Sequence, residues 1–119
     1  MTLFDPNDFY LLACSLSNSG IYDEAKGRTS VGRAYYACFL AAREQLKSKG
    51  FNFNGDEKDH SLIKTYLGQM QRSNLSHKIS SLRRLRNDAD YELSLIIREK
   101  DCQNACITAG NILNEIDLL

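Results

Sequence analysis

The chain has 119 residues, 43% hydrophobic and 25% charged, enough to bury one domain's core without disulfides or a metal. Fifteen basic residues balance fifteen acidic ones, so attraction to nucleic acid or a membrane surface would have to come from a local patch. A single Pro and seven Gly exclude a disordered or turn-rich β chain, no apolar run approaches the ~20 residues of a membrane span, and MTLFDPNDF lacks the regions of a secretory signal, so a cytoplasmic location is expected.

Apolar residues recur at helical spacing almost throughout, and no segment alternates like a half-buried strand. Asp5-Pro6 reads as a cap followed by Pro at the first helical position; Phe9, Leu12, Ala13 and Leu16 then make one face, and Ser19-Gly20 ends the helix. A long second helix is predicted from Asp23 to Lys49, stopped by Gly50, with a polar connection FNFNGDEKD after it. The third helix is placed from His60 to Gln71, with Leu62, Ile63, Tyr66, Leu67 and Met70 inward. The fourth starts near Ser73 or Asn74, carries Leu75, Ile79, Leu82 and Leu85, and is expected to fray around Ala89-Asp90-Tyr91. A last helix, Arg98 to Leu118, has Cys102, Ala105, Cys106, Ala109, Ile112, Leu113 and Ile116 on one face. The fold class is therefore all-α, a single domain spanning 1–119 in a bundle of four to five helices.

The second helix is apolar on two sides. Val31, Ala34, Tyr35, Cys38, Phe39, Ala42 and Leu46 form a broad stripe, while Tyr36, Ala37 and Leu40 lie opposite. Such a helix is either central in its own bundle or half of a two-fold dimer interface. Cys102 and Cys106, one turn apart, suit either buried reduced thiols or a metal, but no His accompanies them. No metal or cofactor is expected.

The fourth helix raises a sharper question, in LRRLRNDADYEL. Arg86 falls within the apolar arc of Leu75, Ile79, Leu82 and Ala89; Arg83 lies at its edge and Arg84 points away. A guanidinium stays charged and is costly to bury unpaired, so Arg86 requires a partner. Asp90, one turn on, is within reach and gives a structural pair; the alternative is an arginine held to grip a phosphate. His60 is placed at the third helix's start, where capping or packing is the default role, and His77 on a solvent face.

Two segments resemble the HEPN superfamily of small helical bundles. SVGRAYYACFLAAREQLKSKG is similar to the Ser-x-x-Arg-Ala-Tyr-Tyr-Ala helix of its short stand-alone members. LRRLRNDADYEL is similar to their Arg-x-x-Ala-Asp-Tyr segment, with Arg86, Asn87, Ala89, Asp90 and Tyr91 matching, and His60-Ser61-Leu62-Ile63 looks like the usual His-led third helix. The resemblance implies a HEPN-like, homodimeric bundle in a toxin–antitoxin or phage-defence system, with RNA and a nucleotidyltransferase-like antitoxin as partners. It further implies metal-independent ribonuclease chemistry, in which an Arg followed four to six residues later by His holds the scissile phosphate. Here no His follows Arg86 in that window, and Tyr91 stands at the fifth position. A phenol of ordinary pKa near 10 is a poor base at neutral pH.

Three readings follow. An atypical ribonuclease would use Arg86, Asn87, Tyr91 and His60 in catalysis, with Arg83 and Arg86 on the substrate. A non-catalytic module would bind RNA or a protein partner without turnover. In the third, Tyr91 is a modification site for the nucleotidyltransferase-like partner, against the plainer reading that it packs.

Overall fold

Five α-helices make up the computed structural model, which describes residues 4–18 and 20–119, with no strand among them. They are α1 (Asn7–Asn18), α2 (Glu24–Ser48), α3 (Asp59–Gln69), α4 (Ser73–Tyr91) and α5 (Glu99–Asp117). Ser19, expected to help end the first helix, lies outside the described residues. Asp23 starts α2: its carboxylate accepts the orphan Lys26 N–H at 2.9 Å. Gly50 lies beyond the other end with φ +96°, a conformation cheap only for glycine.

Helix α2 is the axis of the bundle and packs against each of the other four helices. Its expected stripe, from Val31 to Leu46, is buried at every position, as is Ala37 on the opposite side. Tyr36 and Leu40 are half-buried against the same core. The second apolar side of α2 thus packs in part within its own chain. Each large aliphatic side chain sealed here, such as Leu46, Ile63 or Ile112, contributes about 1.5–3 kcal/mol. In the core the Ser30 hydroxyl donates to the Ala13 carbonyl at 2.8 Å.

Two expectations need correction. Leu12 is exposed, because α1 turns Ala13 and Ser17 inward. The small side chains allow close approach, and Tyr10 lies over Gly110, where an added Cβ would meet its hydroxyl at 2.7 Å. Leu62 is half-buried and outside the apolar cluster, since α3 packs only on α2 and α4 and commits Ile63 and Leu67 to the core. Helix α3 stops at Gln69, and Gln71 takes a left-handed φ of +60°.

Helix α4 ends at Tyr91, within the Ala89-Asp90-Tyr91 stretch where its end was expected. Arg28 of α2 donates from Nη1 to the carbonyls of Ala89 (2.8 Å) and Asp88 (3.3 Å), and from Nη2 to Leu95 (2.5 Å). A cation on the last carbonyls satisfies orphan acceptors and complements the helix dipole. Glu24 holds Arg28 at 3.1 Å and accepts the Ile97 N–H at 2.8 Å, so one ion pair on α2 fixes the α4–α5 connection.

Candidate functional site

The site begins with a buried carboxylate. Asp59, wholly sealed from solvent, accepts the N–H groups of Asn54 (2.7 Å) and Gly55 (3.0 Å), and faces Arg43 at 3.5 Å. These contacts fix the turn before α3 and hence the position of the next residue, His60. The His60 ring stacks on Phe39 of α2 with centroids 4.1 Å apart, and the Tyr35 hydroxyl lies 2.5 Å from its Nδ1. His60 therefore packs, as its default reading held, while Asp59 organises the turn.

Burial pushes the Tyr35 phenol well above its ordinary pKa, so its proton stays on. That hydroxyl and Nδ1 share one hydrogen bond, whose donor follows from the tautomer of the ring. Burial, then the positive charges of Arg83 and Arg86, lower the His60 pKa to about 4. At neutral pH the ring is uncharged, with Nδ1 engaged by Tyr35.

Arg86 reaches this cluster from α4. Its Nη2 donates to the Tyr36 hydroxyl at 2.9 Å and its Nη1 to Asn87 Oδ1 at 3.1 Å. Its Nε lies 2.8 Å from Asp90 Oδ2 without the N–H aiming at that oxygen, so the contact is an ion pair rather than a hydrogen bond. The guanidinium also sits over the rings of Tyr36 (5.0 Å) and Tyr91 (5.8 Å). The expected Arg86–Asp90 pair is present. Tyr36, which the sequence did not single out, joins Arg86 to the aromatic cluster around His60, and Tyr91 is 68% exposed beside it.

On the other flank of His60, α3 and α4 diverge to leave a cleft of about 260 Å³. Lys64 of α3 and Arg83 and Arg84 of α4 line it, with the hydroxyls of Ser76 and Ser80, and no carboxylate does among the described residues. Arg86 is not part of its wall. Arg83, expected at the edge of the arc, is set deeper: its Nε is sealed from solvent with no acceptor, and it pairs with no carboxylate among the described residues. Arg84 is exposed, as expected, and His77 is too.

The cleft had a signal in the sequence. Ser76, Ser80, Arg83 and Asn87 follow one another by four, three and four residues, a polar stripe beside the apolar stripe of α4. The pairing of Asp59 with Arg43 had none, because it joins two helices through a loop. Cys38, Cys102 and Cys106 are buried free thiols and Cys14 is partly so. Among the described residues no group of three His, Cys, Asp or Glu side chains is placed to hold a metal ion, and no helix is long and apolar enough to cross a membrane.

Over 115 residues the sequence is 35% identical to MJ0628, an uncharacterized protein of Methanocaldococcus jannaschii, a match covering 82% of this chain and 69% of that one. No family model matches the sequence, and no solved structure matches the chain.

Proposed function

We propose that this chain, which belongs to one family with the Methanocaldococcus jannaschii protein, is a HEPN-like, RNA-associated protein of a toxin–antitoxin or defence system that binds without cutting. One observation carries the absence of turnover: both groups that cleavage would require are already engaged. Arg86 has its charge compensated by Asp90, and Nδ1 of His60 is engaged by the Tyr35 hydroxyl. A 2′-hydroxyl needs an unengaged acceptor nitrogen to take its proton, and Tyr35 holds one of the two in this ring. The HEPN resemblance supplies the RNA, the homodimer and the nucleotidyltransferase-like partner in this reading. The exposure of Tyr91 leaves its phenol accessible to such a partner.

The ribonuclease reading keeps one observation in its favour: His60 and Arg86, distant in sequence, both meet Tyr36, Asn87 and Tyr91 contact Arg86, and the imidazole is neutral at pH 7. A metal-free assay on single-stranded RNA decides between the two. Binding without turnover is expected for the wild-type chain. Cleavage that disappears in both Arg86→Ala and His60→Ala would establish the ribonuclease instead. Intact mass after co-expression with a nucleotidyltransferase-like partner reads any modification of Tyr91, and an unchanged mass would remove that role.

A further inference from the structure

The charge distribution of this chain is uneven in one place. Acidic and basic residues are equal in number, yet Lys64, Arg83 and Arg84 share a cleft that no carboxylate lines among the described residues. Like charges in one concavity repel, and a partly desolvated wall strengthens that repulsion. That repulsion is relieved by an anion seated in the cleft. The hydroxyls of Ser76 and Ser80, one turn apart on α4, add donors beside the cations, and Asn87 extends the same stripe. Planar guanidinium, ammonium and hydroxyl donors around one opening match the tetrahedral oxygens of a phosphoryl group.

We propose that the α3–α4 cleft is a phosphate-binding subsite, in which Arg83 and Lys64 neutralise a phosphoryl oxyanion and Ser76 and Ser80 donate to its oxygens. Arg86 lies outside it and acts as a positioning residue that joins α4 to the Tyr36–His60 cluster. The subsite rests on the RNA-associated reading only for the carrier of the phosphate, a strand rather than a free nucleotide. The low pKa of His60, set partly by Arg83, is consistent with a positive potential on this flank.

The test titrates the full chain, labelled for amide NMR, with inorganic phosphate, with a mononucleotide and with a short single-stranded RNA. Saturable shifts confined to the amides of Lys64, Ser76, Ser80, Arg83 and their neighbours are expected with phosphate. Arg83→Gln and Lys64→Gln should each weaken binding about 10-fold or more, while Lys26→Gln, an equal charge change on the far end of α2, should not. Thermal melts establish that the variants are folded. Shifts scattered over the surface, or a folded Arg83→Gln that binds phosphate like the wild type, would overturn the subsite. Phosphate and nucleotide binding in the cleft without RNA binding would uphold the subsite and remove RNA as its carrier. RNA binding indifferent to Arg83 and Lys64 would overturn the subsite and leave the RNA-associated reading standing.

Discussion

Arg86 and Arg83 lie three positions apart on α4, and their surroundings are opposite in kind. Arg86 is charge-compensated by Asp90, hydrogen-bonded to Tyr36 and Asn87, and 14% exposed. The Nε of each is sealed without a hydrogen-bond acceptor, but Arg83 pairs with no carboxylate among the described residues and has two further cations beside it in the cleft. The difference teaches which arginine serves the fold. A paired guanidinium stabilises, whereas one kept unpaired among like charges lowers stability and is ready for a ligand. The Asp59 turn belongs with Arg86 on the satisfied side: every contact that it makes holds His60 in place.

The largest effect is expected at that turn. Asp59→Ala strips two N–H groups of their acceptor and leaves Arg43 without its carboxylate, at a cost of about 3 kcal/mol in urea unfolding. A loss under about 1 kcal/mol would remove the turn from the set of stabilising features. Next, Arg86→Met should cost about 2 kcal/mol, because it leaves the Tyr36 hydroxyl and Asp90 unpartnered, while Arg83→Met should be neutral or stabilising by up to about 1 kcal/mol. Equal losses in the two variants would collapse the comparison.

Arg28→Met probes the satisfied side from a distance. A decrease of about 1–2 kcal/mol is expected, with faster hydrogen exchange confined to the last turn of α4, whose carbonyls lose their donor. Unchanged exchange there would mean that α4 persists without its cap. The smallest effect is a pH dependence. Above pH 6.5 His60 is neutral in both folded and unfolded chains; as the pH falls toward 4 only the unfolded chain takes up the proton, so stability drops across that window. The drop is about 1 kcal/mol, reduced from the full linkage value because water reaches part of the ring. In His60→Gln this component should vanish from the melting profile between pH 6.5 and 4, and an unaltered profile would assign the acid loss to other groups.

The parts of this protein legible in the sequence were those set by local periodicity. The five helices, the buried stripe of α2 and the Arg86–Asp90 pair follow from 3.6-residue spacing and i, i+4 reach, which tertiary contacts did not override. Leu12 was misplaced because two leucines side by side on α1 leave its inner face ambiguous, and closeness to α5 through Gly110 decided it.

What the sequence by itself determined is a helical chain with one arginine that must find a partner in its own apolar arc. Only the tertiary structure decided the rest. It brought His60 under Tyr35, held the end of α4 with an arginine some sixty residues earlier in the chain, and opened α3 from α4 along Lys64 and Arg83. The physical reason is the same in each case. A ring's hydrogen bond, a helix end's satisfaction and a cleft's potential depend on groups that meet in space, and no periodicity along one helix records which groups those are.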